Sequence, residues 1–137
     1  MALTTFLAEI KTRVAATLVA NGYTEYTVKR GEMANSPDEQ VVLNMYAGNT
    51  PDLGFGIPGL QFEYPGLQIS VRGASTDYDG PEAVIGVLYE DLVTVQDEYL
   101  TGSRYLLIRA NQSPFLAARD GNQRCVWKVN FICEKEA

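Results

Sequence analysis

Between positions 77 and 98 the chain carries Asp77, Asp79, Glu90, Asp91, Asp97 and Glu98. Hard oxygen ligands of this kind can hold Mg²⁺ for phosphoryl chemistry. No Lys or His stands beside them as a base, and Asp79 has another use as a helix cap, so a solvated acidic face is the stronger reading. Gly54, Gly56 and Gly59 spell GxGxxG. The dinucleotide fingerprint needs a strand leading straight in and a helix leading straight out. Here Pro51 stands upstream, Pro58 lies inside, and the exit is Leu60-Gln61-Phe62-Glu63-Tyr64-Pro65, which leaves a glycine-rich loop with apolar anchors. The chain has no histidine, which removes Ser-His-Asp and Cys-His nucleophiles together with the usual zinc ligands. Arg72, Arg104, Arg109, Arg119 and Arg124 lack the basic run and interleaved aromatics of a nucleic-acid footprint, and suit protein contacts better. No enzyme activity, cofactor or metal is expected.

The elements that position these residues centre on Tyr64 to Leu92. Leu67, Ile69 and Val71 alternate with Gln68, Ser70 and Arg72, a strand with one buried and one wet face that ends at Gly73. After a loop, Asp79, Pro81 and Glu82 open a helix as cap, first-turn proline and capping-box partner. Its Val84, Ile85, Leu88 and Leu92 fall on one face, which should lie on the sheet. Upstream, Leu3, Leu7, Ile10, Val14 and Leu18, joined by Phe6, predict an amphipathic helix from Thr5 to Asn21, with Gly22 just past its end. Tyr26 to Lys29 reads as a short strand, residues 31–39 as a polar turn segment, and Gln40 to Ala47 as a strand.

Residues 48–66 hold five glycines and three prolines, yet also Leu53, Phe55, Ile57, Leu60 and Phe62. A loop this apolar is expected to lie against another subunit. Asp91 to Leu100 reads as acidic and irregular, Ser103 to Ala110 as a strand, and Asn111 to Asn122 as a loop. In the last strand, Gln123 to Glu134, the residues Cys125, Trp127, Val129, Phe131 and Cys133 face one way. Eight residues of strand separate the two cysteines by roughly 26 Å, beyond disulfide reach, so buried thiols in a reducing compartment are expected. The fold class that results is α+β: one domain, a mainly antiparallel β-sheet with two α-helices packed on one face.

At 137 residues and a formal charge of −6, the chain is of single-domain size and disfavours non-specific attachment to nucleic acid or anionic membrane. No apolar run approaches a membrane span, and Glu9, Lys11 and Arg13 argue against a secretory signal. A soluble protein made in a cytosol is expected. Between Gly31 and Ser103 there are twelve acids and one base; between Arg104 and Lys128 there are five bases and one acid. That segregation suits pairing of layers within one molecule, and also head-to-tail contacts between subunits. The expected subunit interface takes Leu53, Phe55, Ile57 and Leu60 as its dry part and Arg104, Arg119 and Arg124 as its basic part.

YPGLQISVRG, then DYDGPEAVIGVLYEDL, then a strand pair interrupted by SPFLAARDGNQR and closed by CVWKVNFICE, resembles the small tail-terminator proteins of long-tailed bacteriophages, often labelled minor capsid proteins. The resemblance spans roughly Leu3 to Glu134, and it is weakest from Gly31 to Leu60. It implies a non-enzymatic homo-oligomeric ring, similar to the hexamers that stop tail-tube polymerisation and dock the tail to the head. Its implied partners are the tail tube protein and the head-tail connector proteins, with DNA passing through the lumen and no membrane. Another neck component, such as a tail-completion or head-closure adaptor, is the alternative within virion assembly. Outside it stand a small carboxylate enzyme around Asp77 and a ligand-binding dimer built on the Phe55 to Phe62 loop.

Overall fold

The structure, a computed structural model, describes residues 2–53 and 60–136. Their order is α1 (Ala2–Ala20), β1 (Thr27–Arg30), β2 (Gln40–Leu53), β3 (Leu60–Ser75), α2 (Asp79–Leu92), β4 (Gln96–Leu100), β5 (Ser103–Ala110), β6 (Phe115–Arg119) and β7 (Arg124–Glu136). The strands form one sheet in the order β1-β2-β3-β7-β5-β4, with β6 also paired to β7. Only β1 with β2 is parallel. Both helices lie on one face, giving the α+β class expected from the sequence.

Period-two patterning sets the core. Val41, Leu43, Leu67, Ile69, Val71, Trp127, Val129 and Phe131 line up in register across β2, β3 and β7 and are all buried. Phe6, Ile10, Val14 and Leu18 of α1 and Val84, Ile85, Leu88 and Leu92 of α2 close over them. Helix α1 ends in a Schellman motif: Gly22, at φ 81°, and Tyr23 donate to the Val19 and Leu18 carbonyls. Cys125 and Cys133 are buried free thiols on the inward face.

Several expectations change. Helix α1 starts three residues earlier than Thr5. The cap of α2 comes from Asp77 rather than Asp79: Asp77 Oδ1 accepts the Gly80 N–H at 3.0 Å, and Asp79 lies within the first turn. Strand β3 runs two residues past Gly73. Much of the predicted 48–66 loop is strand, because β2 and β3 stay paired from Asn49↔Tyr64 to Leu53↔Leu60 through a series of register shifts. Asp91 to Leu100 contains the edge strand β4, and Asn111 to Asn122 contains β6. Strands β5 and β6 both run antiparallel to β7, β5 along Phe131 to Lys135 and β6 along Cys125 to Lys128. They are one course of chain along one edge of β7, interrupted at residues 111–114.

The outward face of the sheet is not uniformly wet. Gln40, Ser70, Arg72 and Arg124 are buried there. Over its centre, Gln68 Nε2 donates to Asn130 Oδ1 at 3.0 Å. Nearby, the Tyr46 ring lies across Gly66, where an added Cβ would stand 2.9 Å from ring carbons. That passage lets the Tyr46 hydroxyl donate to the Phe131 carbonyl at 2.9 Å and accept from Asn111, tying β2 to β7 across β3.

Candidate functional site

The acidic residues singled out above are dispersed over separate pairs. Asp91 holds Arg13 of α1 through both oxygens, at 2.9 and 3.0 Å, and Glu98 takes another nitrogen of the same guanidinium at 2.8 Å. These contacts raise the Arg13 pKa, the Asp91 hydrogen bonds leading and burial opposing. Asp97 pairs with Arg104 at 2.6 Å, while Asp77 serves α2 as described. Glu90 is exposed. Among the described residues, no three His, Cys, Asp or Glu side chains come together as a metal site would need. Gly54, Gly56 and Gly59 lie outside the described residues, as do Phe55 and Ile57. Leu53 and Leu60 pair with each other where β2 ends and β3 begins.

The three arginines of the expected interface part company. Arg119 is exposed on β6. Arg104 bridges Asp97 and Glu136, at 2.6 and 2.9 Å. Arg124 is buried, held by Asp120 at 2.7 Å, Asp38 at 2.9 Å and the Asn35 carbonyl at 2.7 Å. Arg119 registers with Cys125 and Tyr105 with Lys135, so the Arg119 and Arg104 ends of this edge lie roughly 33 Å apart.

Two buried polar clusters were not anticipated. In the first, Arg72 on β3 donates to the carbonyls of Ala34, Pro37 and Asp38 at 2.7 to 3.0 Å. The Gln40 amide joins it, exchanging hydrogen bonds with both backbone groups of Ala34. With Arg124 they clamp residues 34–38 over the outward face of the sheet. Burial, then the neighbouring Arg124, pulls the Arg72 pKa down. Burial also opposes the charge on Arg124, but its bonds to Asp38 and Asp120 win and raise it.

In the second, Glu9 of α1 meets Lys135 of β7 at 3.0 Å, with Lys135 fully buried. The Tyr105 hydroxyl donates to Glu9 Oε1 at 2.7 Å, and Ser103 donates to Oε2. Lys135 Nζ also sits 5.2 Å from the Tyr105 ring centre and 5.8 Å from that of Phe6. Burial pushes the Glu9 pKa up, yet these donors and the ammonium outweigh it and hold it below the usual carboxylate value. Burial and the hydrogen bond to Glu9 drive Tyr105 upward, so its phenol stays protonated. The sequence did carry a signal: Lys135 shares inward parity with Cys133, and Glu9 falls one turn from Phe6 and beside Ile10. With every group satisfied by a neighbour, the cluster fixes α1 on the sheet.

The described surface offers open strand edges at β1 and β4, the two ends of the main strand path, and a third at β6, which pairs only with β7. Its most exposed large apolar side chains are Tyr99 and Val19. No curated protein sequence matches the chain. A solved structure with the same fold is a chain from the virion of a native gene transfer agent particle; it is 14% identical, with a TM-score of 0.62, over 90% of this chain and 92% of that one. The family model for the bacteriophage tail terminator protein matches residues 18–137. The chain thus belongs to the bacteriophage tail terminator family, and it is a structural protein of the virion tail.

Proposed function

We propose that this protein closes into a ring, a hexamer as the resemblance implies, which caps the finished tail tube and joins it to the head-tail connector. The carrying observation is that the main strand path of the sheet ends in two dissimilar edges, β1 and β4. A subunit with two different ends associates head to tail, and closes into a ring when the rotation allows. Membership of the terminator family supports placing that ring on the tail. The tube protein and the connector proteins are its partners beyond itself. DNA passes through the lumen without specific binding, as a net charge of −6 favours. No helix among the described residues is long and apolar enough to cross a membrane, and a membrane has no part in this role. The work is non-enzymatic, without a cofactor.

Light scattering at several concentrations, electron microscopy of the oligomer, and addition to polymerising tail tube protein test the reading together. A closed oligomer with a central hole and tubes of arrested length is expected. A monomer at every concentration that leaves tube growth unchanged would overturn it. A saturable melting shift with NAD, ATP or Mg²⁺ would count against the non-enzymatic reading, since a ligand that binds the folded state stabilises it by mass action.

A further inference from the structure

We infer that the β4 edge of one protomer seats in the groove between α1 and β1 of the next copy, with Tyr99 as its anchor. The inference rests on the ring reading and assigns its contact. A groove of about 510 Å³ is lined by Ala8, Lys11, Thr12, Ala15 and Arg30. It continues along α1 past Val19 toward Tyr23 as a hollow of about 290 Å³. The helix side is built of small residues, so a ring can approach closely. The rim is basic: Lys11 and Arg30 have no ion pair among the described residues.

The opposite end of the sheet is its complement. Tyr99 is 71% exposed, above every other large apolar side chain described. At this end of the molecule four acids, Asp97 and Glu98 of β4 with Asp91 and Glu136, share two arginines, Arg13 and Arg104, which leaves negative charge in excess. Edge strands carry unpaired backbone groups that invite a further chain. A second copy of this chain is the occupant because the acidic aromatic edge and the basic groove terminate the same sheet at opposite ends, the arrangement a heterologous contact requires. A buried aromatic anchor supplies the dry contact that exposed charges alone do not. The partner of the acidic segment is then the α1–β1 rim rather than the hairpin of Arg119 and Arg124, where Arg124 is already held inside its own protomer.

Tyr99→Asp and Ala15→Trp alter the anchor and the groove at positions outside the buried core. Each is expected to abolish the oligomer at concentrations where the parent assembles, with an unchanged monomer circular dichroism spectrum and melting curve. Mixed one to one, the two variants should give a dimer and nothing larger, because each retains one intact half. Independently, Thr12→Cys combined with Asp97→Cys, which keeps Tyr99 in place, should form a ladder of disulfide-linked chains on oxidation, while neither single variant does; the native Cys125 and Cys133 are buried and stay silent. If the parent forms a closed oligomer and both variants do too, without a ladder, this contact is wrong and the ring stands. If the parent is monomeric throughout and no ladder forms, contact and ring both fall.

Discussion

Glu9 and Lys135 provide a quantitative test of what fastens α1 to the sheet. Glu9→Leu removes the carboxylate that meets the fully buried Lys135 ammonium and deprives the Ser103 and Tyr105 hydroxyls of their acceptor. Breaking a buried pair from one side costs about 3–5 kcal/mol, a large part of the roughly 5–15 kcal/mol that holds a domain together. With a urea slope of about 2 kcal/mol per molar, the unfolding midpoint should fall by about 2 M. Lys135→Met should cost less, because Glu9 keeps two hydroxyl donors. In the double variant the Glu9–Lys135 pair is gone from both sides, and although Glu63 stays buried across from position 135, stability should return above that of Glu9→Leu alone. Equilibrium unfolding of all four proteins, at a concentration where none assembles, gives the coupling directly. Additive losses, or a Glu9→Leu midpoint unchanged from the parent, would refute the argument.

Trp127→Ala, which empties a core site between α2 and the sheet, should lower stability by about 3–5 kcal/mol in the same assay. Gly66→Ala drives a methyl group into the Tyr46 ring and should cost about 1–3 kcal/mol; adding Tyr46→Ala should recover part of that, as a double-mutant cycle would show. Arg72→Leu removes the donors that hold the carbonyls of residues 34–38, so limited proteolysis should cut that segment faster than in the parent. Glu9 and Asp120 both have lowered folded-state pKa values, Asp120 because hydrogen bonds from Arg124 and Asn122 outweigh its burial. Their stabilisation is complete above the unfolded values of about 4.3 and 3.9 and is lost as pH falls through the lower folded ones, so acid melting curves should shift there, less so in Glu9→Gln.

How far the sequence announced this structure varied with what each segment depends on. Strand β7 was plain because Cys125, Trp127, Val129, Phe131 and Cys133 alternate without a break. Strand β6 was not, since Phe115-Leu116-Ala117-Ala118-Arg119 has no alternation and pairing with β7 is what extends it. The same holds for β4, where Gln96-Asp97-Glu98 reads as solvated chain although its backbone pairs with β5. Asp79 reads as the cap because Glu82 completes a capping box with it. The observed cap is set by where the turn after β3 delivers the chain. Arg124 looked like free surface charge; its burial comes from Asn35 and Asp38, 89 and 86 residues away, and no local pattern encodes that. The interface arginines were grouped by position in the sequence, whereas the sheet separates them.

The strand order has a consequence for the timing of folding. Strand β7, which follows every other strand described, is neither at the rim nor optional: it lies between β3 and β5 and carries β6 as well. Until it emerges, β1-β2-β3 and β4-β5 are separate pieces with open inner edges, and α1 lacks Lys135, its contact 126 residues downstream. Contacts this distant in sequence form slowly, and unpaired edges invite aggregation while they wait. A nascent or truncated chain therefore cannot present β1 and β4 at the two ends of one rigid sheet.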